Sequence, residues 1–185
     1  MKRAFDIFFS TSALIILLLP LVIIYFLVLI TTSSPAIYWS KRVGRNNKIF
    51  LMPKFRTMKN LTPELPTDKL TTREKWITPI GKILRKTSID EIPQLWCVLK
   101  GEMSLIGPRP ALHNQTDLID SRNKLGIQKL RPGITGWAQI NGRDTINLNK
   151  KVNYDYYYLI HQSFKLEIKI FCQTIYKVLT IKGVL

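Results

Sequence analysis

Cysteine and histidine are nearly missing from this 185-residue chain, with two of each. Cys97 and Cys172 stand far apart, without the C-x-x-C spacing of a zinc or redox site. That excludes a disulfide framework and suits a reducing compartment. His113 and His161 are equally isolated, so a histidine-based metal cluster or a Ser-His-Asp system lacks its parts, and both read as structural. Acid is scarce too: 12 Asp and Glu face 28 Lys and Arg, for a net charge of +16. Such an excess predicts an anionic partner, and by itself does not choose among nucleic acid, acidic lipid headgroups and a phosphorylated substrate. Internal repeats and low-complexity tracts are also lacking. The length allows one membrane element and one compact domain around a single core.

What the chain does have is apolar length. No charge occurs from Ile7 to Ile30, and at ~1.5 Å per helical residue such a run can cross a hydrocarbon core of ~30 Å. It exceeds the ~7 to 15 apolar residues of a signal peptide, and Thr31 to Pro35 makes a poor cleavage site. Basic residues flank it on both sides, Lys2 and Arg3 before, then Lys41, Arg42, Arg45 and Lys48 after, and the positive-inside tendency draws both flanks to the cytoplasm. Pro20, near the middle, deletes one backbone hydrogen bond and predicts a kink. A helix that enters, bends and returns fits these facts, and so does an ordinary kinked spanning helix.

Downstream, Ala36 to Ser40 and Ile49 to Met52 flank a basic turn at Val43 to Lys48, as in a small β-hairpin. Asn60 to Thr72 reads as a surface loop. Thr78-Pro79 supplies an N-cap and a first-turn proline for a helix running to about Lys86. Ser88 with Glu91 three residues later forms a capping-box pattern for a helix toward Gly101, with Asp90 as an alternative cap because Pro93 falls near the first turn. Leu166 to Ile181 is an amphipathic helix whose apolar face of Ile170, Phe171, Ile175, Val178 and Leu179 suits either a core or a membrane surface.

Asp90 and Glu91 are adjacent carboxylates in a chain dense with cations. An isolated pair of this kind would merely favour the positive end of a helix dipole. Their company suggests more. Arg85 lies just before them, and in Pro108-Arg109-Pro110 two prolines fix the backbone around an arginine suited to bidentate phosphate recognition. The run from Arg131 to Arg143 holds Gly133, Gly136, Trp137 and Gly142, and describes a tight loop that either approaches a ligand or simply turns, with Arg143 able to reach an anion. Lys54-Phe55-Arg56-Thr57-Met58 adds two cations beside an aromatic.

Taken in order, Lys54 to Met58, Ser88 to Gly101, Met103 to Pro110, Arg131 to Arg143 and Tyr154-Asp155-Tyr156-Tyr157 resemble the bacterial sugar transferase family. The chain resembles a minimal, stand-alone monotopic phosphoglycosyl transferase over nearly its whole length. That resemblance implies a predominantly α fold with a small β-hairpin: a re-entrant membrane helix-break-helix over residues 1–35, kinked at Pro20, and a compact membrane-associated catalytic domain over 36–185. It places the protein at the bacterial inner membrane with the domain on the cytoplasmic face. It also implies that Asp90 is the nucleophile, attacking the β-phosphorus of a UDP-sugar and expelling UMP, after which a polyprenyl phosphate, usually undecaprenyl phosphate, takes the phosphosugar in a first membrane step of glycan synthesis. Glu91 would help hold Mg²⁺ with Asp90, or assist proton transfer. Lys54, Arg56, Arg85, Arg109 and Arg143 suit the phosphates and nucleotide, because phosphoryl transfer needs charge neutralised on oxygen. Inner-membrane lipids are the implied surroundings, and base rates favour a homodimer.

The chain departs from the family pattern at three points: Leu19 precedes Pro20 where Ser is frequent, Cys97 replaces a usual Asn, and Glu167 replaces a late Asp. One competing reading is a membrane-tethered, non-enzymatic basic module that binds acidic lipid or nucleic acid. It gives the Asp90-Glu91 pair no task, and the tyrosines at 154 to 158 are too local for nucleic-acid stacking. A lipid kinase would want a G-x-x-x-x-G-K-[ST] loop, which is absent.

Overall fold

The computed structural model describes residues 2–32, 34–60, 62, 73–142 and 146–180. Its first element is a single long helix, α1 (Lys2–Thr32), with Pro20 inside it. The helical assignment runs through Pro20 without interruption, where a helix-break-helix was expected. One missing hydrogen bond is a small loss to a helix with many bonded turns on either side. By length and composition α1 is able to cross a membrane.

The burial of α1 is one-sided. Asp6, Ser10 and Val28 are buried, whereas Ile15, Ile16, Leu18, Leu19, Ile23 and Ile30 are exposed. Toward its start, Phe5, Ala13 and Leu14 pack on the main core, and toward its end Leu21, Ile24 and Val28 pack on a second cluster with Ala36, Phe55 and Leu84. Both halves of the helix therefore touch the same domain. Polar contacts pin the first turns. Lys2 Nζ donates to Ile106 O at 3.1 Å, Tyr158 Oη at 3.1 Å and Glu167 Oε1 at 2.6 Å. Arg3 donates to the carbonyls of Val98 and Leu99, and Asp6 Oδ1 accepts from Ser104 Oγ at 3.1 Å and Leu105 N at 3.0 Å.

The expected hairpin is present and longer than its sequence signal: β1 (Ile37–Val43) pairs antiparallel with β2 (Ile49–Phe55), from Ile37 opposite Phe55 to Val43 opposite Ile49. Its tip bends through Asn46 and Asn47 at φ 55° and 60°, a left-handed conformation that Asn tolerates better than most residues. Then follow α2 (Arg73–Trp76), α3 (Pro79–Thr87) and α4 (Leu95–Lys100), with a 3-10 segment at Ile89–Gln94 between the last two. Of the loop expected over 60 to 72, only Asn60 and Thr62 lie within the described residues.

A second sheet was not foreseen. Strand β3 (Ser104–Ile106) and, beyond helix α5 (Thr116–Lys124), strand β4 (Gly133–Thr135) pair in parallel. The glycines around them explain why the chains come so close: a Cβ on Gly133 would lie 2.1 Å from Gly107 N, and one on Gly136 2.1 Å from Gly107 O. Backbone meets backbone there, so Gly133, in β4, and Gly136, in extended conformation, serve close packing against Gly107 and neither makes the expected turn. Arg131 is structural as well, donating from Nε to Gly101 O at 3.0 Å.

Short α6 (Trp137–Ile140), then α7 (Leu148–Ile160) and α8 (Phe164–Leu179) complete the order. Ile170 and Tyr158 enter the main core beside Val98, Met103 and Ile106. Ile170 of α8 is fully buried, but Ile175 and Val178 are exposed, so core packing accounts for only the first half of its apolar face. The side chain of Leu179 and all of Ile181 lie outside the described residues. His161 stacks on Tyr157 at 4.1 Å and serves a structural part. Both cysteines are free, and Cys97 is buried; burial pushes its thiol up to about 12.

Candidate active site

Helix α3 begins as its sequence dictates: Thr78 caps it by accepting from Gly81 N at 3.0 Å, with Pro79 at the first position. Gly81 is required for fit, because a Cβ would meet Thr57 O at 2.2 Å. The close approach brings α3 onto the segment following β2, and Arg85 Nε donates to Thr57 Oγ1 at 2.9 Å.

The capping box expected at Ser88 does not form. Ser88 ends α3 in the left-handed region, at φ 57°, and its side chain makes no capping bond. The α-helix cannot resume at once, since Pro93 has no N–H to return to the carbonyl of Ile89. Ile89–Gln94 therefore winds as a 3-10 segment, and α4 starts only at Leu95. Asp90 and Glu91 lie in the first turn of that tight segment, and it packs closely against β2.

Glu91 is the centre of a cation clamp. Lys54 Nζ, from β2, lies 2.9 Å from its Oε1. Arg109 forks onto it, Nη2 to Oε1 at 2.6 Å and Nη1 to Oε2 at 3.3 Å. Glu91 is 8 % exposed, and burial alone would raise its pKa; the charges and hydrogen bonds of Arg109 and Lys54 overcome this and hold the carboxyl well below the usual range. Asp90, 7 % exposed, differs. Burial, and then the negative charge of Glu91, push its pKa up against the opposing pull of Lys54, Arg85 and Arg109. No side chain or amide among the described residues donates a hydrogen bond to the Asp90 carboxylate. Lys54 is itself shifted down, mainly by burial.

Four of the expected cations thus separate by position. Lys54 and Arg109 bind Glu91 directly, and Arg85 acts on Asp90 by charge. Arg56 is engaged elsewhere, donating to Pro35 O at 2.8 Å and Asn60 Oδ1 at 2.9 Å with its guanidinium over the Tyr38 ring. Lys54 is two residues earlier, a spacing that would place both on one face of a strand, but β2 ends at Phe55 and Arg56 lies beyond it. Arg143 lies outside the described residues.

Sequence reasoning missed Arg122. Its Nε and Nη2 bind Asp155 Oδ2 at 3.0 and 2.6 Å, and its Nη1 donates to Arg109 O at 2.9 Å. The one available signal was Asp155, an acid placed among tyrosines in an acid-poor chain.

Among the described residues no group of three or more His, Cys, Asp or Glu is assembled. Mg²⁺ needs no such cage, because one or two carboxylates with substrate phosphates and water suffice. The undonated carboxylate of Asp90 and the remaining lone pair of Glu91 Oε2 fit that requirement.

A family profile described as Bacterial sugar transferase matches residues 1–181. The chain is 41 % identical over 185 residues to the uncharacterized sugar transferase EpsL of Bacillus subtilis (strain 168), covering 100 % of this chain and 90 % of that protein. It is 32 % identical over 197 residues to the exopolysaccharide production protein ExoY of Sinorhizobium fredii (strain NBRC 101917 / NGR234), covering 98 % of this chain and 87 % of that one. It is also similar to the UDP-glucose:undecaprenyl-phosphate glucose-1-phosphate transferase of Escherichia coli (strain K12), at 36 % identity over 184 residues, which is 96 % of this chain but 40 % of that enzyme.

Proposed function

From the premise that this chain belongs to the bacterial sugar transferase family, we propose that it transfers a sugar 1-phosphate from a UDP-sugar to undecaprenyl phosphate, releasing UMP, through a covalent intermediate on Asp90. The observation that carries this reading is the contrast within one buried pair: Glu91 is held by Lys54 and Arg109, while Asp90 has a raised pKa and no hydrogen-bond donor among the described residues. A carboxylate of raised pKa is the more basic and the better nucleophile, and without donors it is able to move toward phosphorus.

In the first half-reaction an Asp90 oxygen bonds to the β-phosphorus and the bond to the bridging oxygen breaks, so UMP leaves with that oxygen and its electron pair. An acyl phosphate bearing the sugar remains. In the second, a phosphate oxygen of the lipid attacks the same phosphorus, and Asp90 departs as carboxylate. Dividing the transfer means the soluble donor and the lipid acceptor need not be bound together. Arg109 and Lys54, anchored on Glu91, place positive charge beside the site of attack, where charge develops on the phosphate oxygens. Mg²⁺, when bound at Asp90 and Glu91, would supply further neutralisation of the diphosphate.

Two features support a monotopic placement, and the basic residues flanking α1 on both sides favour the cytoplasmic face. Both halves of α1 pack on the domain while its outer face stays apolar and exposed, and a helix spanning the bilayer would leave one end far from a domain on one side. A purely electrostatic lipid- or nucleic-acid-binding module would have no use for two buried carboxylates, which are costly unless employed.

The test is direct. Detergent-solubilised protein is incubated with Mg²⁺, undecaprenyl phosphate and a panel of UDP-sugars, and UMP is measured. Release is expected with at least one sugar, with loss of about 10³-fold or more in Asp90→Asn. UMP release that survives Asp90→Asn would remove Asp90 as nucleophile.

A further inference from the structure

Pro108 and Pro110 have no N–H, so the backbone of this loop is held mainly through its carbonyl oxygens. All three are bonded. Pro108 O accepts from Gly133 N at 2.9 Å, Arg109 O from Arg122 Nη1 at 2.9 Å, and Pro110 O from Arg42 Nη1 at 3.2 Å. Both guanidinium groups are oriented from behind. Arg42 Nε donates to Ser40 Oγ at 3.0 Å, and Arg122 is forked onto Asp155, the two being 8 % and 2 % exposed. Stability alone is a weak reason for such an arrangement, since a buried ion pair can often be replaced by apolar residues at no loss.

We propose that Arg122 and Arg42 are positioning residues: they grip the carbonyls of Arg109 and Pro110 from helix α5 and strand β1 and so aim the Arg109 guanidinium at Glu91 and the reacting phosphate. The function assigned to Arg109 rests on the reading above; the grip on its backbone does not. Arg42 also bears on Lys54 by charge, and that effect would act independently of Arg109.

Two measurements on the full chain in detergent test the proposal. The first is hydrogen–deuterium exchange in Arg122→Lys and Arg42→Gln. A peptide spanning residues 106 to 112 is expected to exchange about fivefold faster or more, with α8 unchanged; unaltered exchange in that peptide overturns the grip, whatever the protein catalyses. The second is a double-mutant cycle on UMP release. Each variant is expected to lower kcat about tenfold, with KM for the UDP-sugar changed less than about threefold, and to add little further loss in an Arg109→Lys background. Losses that multiply undiminished in that background overturn the coupling to Arg109. Wild-type protein that releases no UMP with any sugar defeats the proposed reaction, and the exchange measurement still decides the grip.

Discussion

Asp90 and Glu91 are joined by one peptide bond, yet their surroundings drive their acidities apart. The pH dependence follows from the sign of each shift. If Asp90 must be ionised to attack, kcat/KM rises with pH through its raised pKa, so the acid limb should lie above the ordinary aspartate value of ~3.9. Lys54 pulls the Asp90 pKa down; Lys54→Met should therefore move the acid limb to higher pH and lower the rate at pH 7 by about 10²-fold. A pH–rate series on the two proteins checks both, and an unshifted limb would argue against Lys54 acting on Asp90. Much of this centre was legible in the sequence, since Lys54, Asp90, Glu91 and Arg109 do converge. Arg56 misled because the strand ends at Phe55, just before it, and its guanidinium turns to Pro35 and Asn60, and Ser88 because a left-handed residue that ends one helix cannot also cap the next in the usual geometry.

At the scale of elements, the parallel pair β3 and β4 positions Pro108 to Pro110 directly after a strand, with Gly107 N bonded to Thr135 O at 2.8 Å. Gly136→Ala should destabilise the fold by about 2–4 kcal/mol, because its Cβ would sit 2.1 Å from a backbone oxygen that has no room to yield. Its φ of −178° means the cost is steric, not conformational. Gly126→Ala is a useful contrast: nothing lies within 4 Å, and only its φ of +75° penalises the change, at about 1–2 kcal/mol. Comparing thermal unfolding of the two variants separates the causes. Strands of three residues carry no readable alternation, so sequence patterning showed the glycines without showing what they approach. The longer elements, the hairpin and α3 among them, were visible because their turn and cap residues are local.

For the whole molecule, the placement of α1 decides where the active centre would meet the proposed lipid acceptor. Ala4 is exposed, while Lys2, Arg3 and Asp6 on either side of it are bonded into the domain. With Cys172, the exposed thiol, changed to Ser, Ala4→Cys in whole cells should react only with reagents that reach the cytoplasm. Labelling by an impermeant reagent from outside would instead require a spanning helix. The sequence left that choice open because flank charge and a central proline are compatible with either path; what it could not show is that three polar side chains at the start of α1 find partners on β3, α4 and α8.

Those partners make the hydrophobic segment inseparable from the enzyme. A fragment trimmed to begin after Pro35 would lose the Lys2 and Arg3 donors to the carbonyls of Ile106, Val98 and Leu99 and the Asp6 acceptor of the Leu105 amide; Val98 O and Ile106 O keep a bond each, from Gly101 N and Tyr158 Oη, and any group left buried and unsatisfied costs about 1–3 kcal/mol. It would also uncover the apolar patch on which Phe5 and Leu14 rest. Truncation to a catalytic fragment without α1 is thus opposed by the architecture itself, because the apolar helix is also one wall of the catalytic fold.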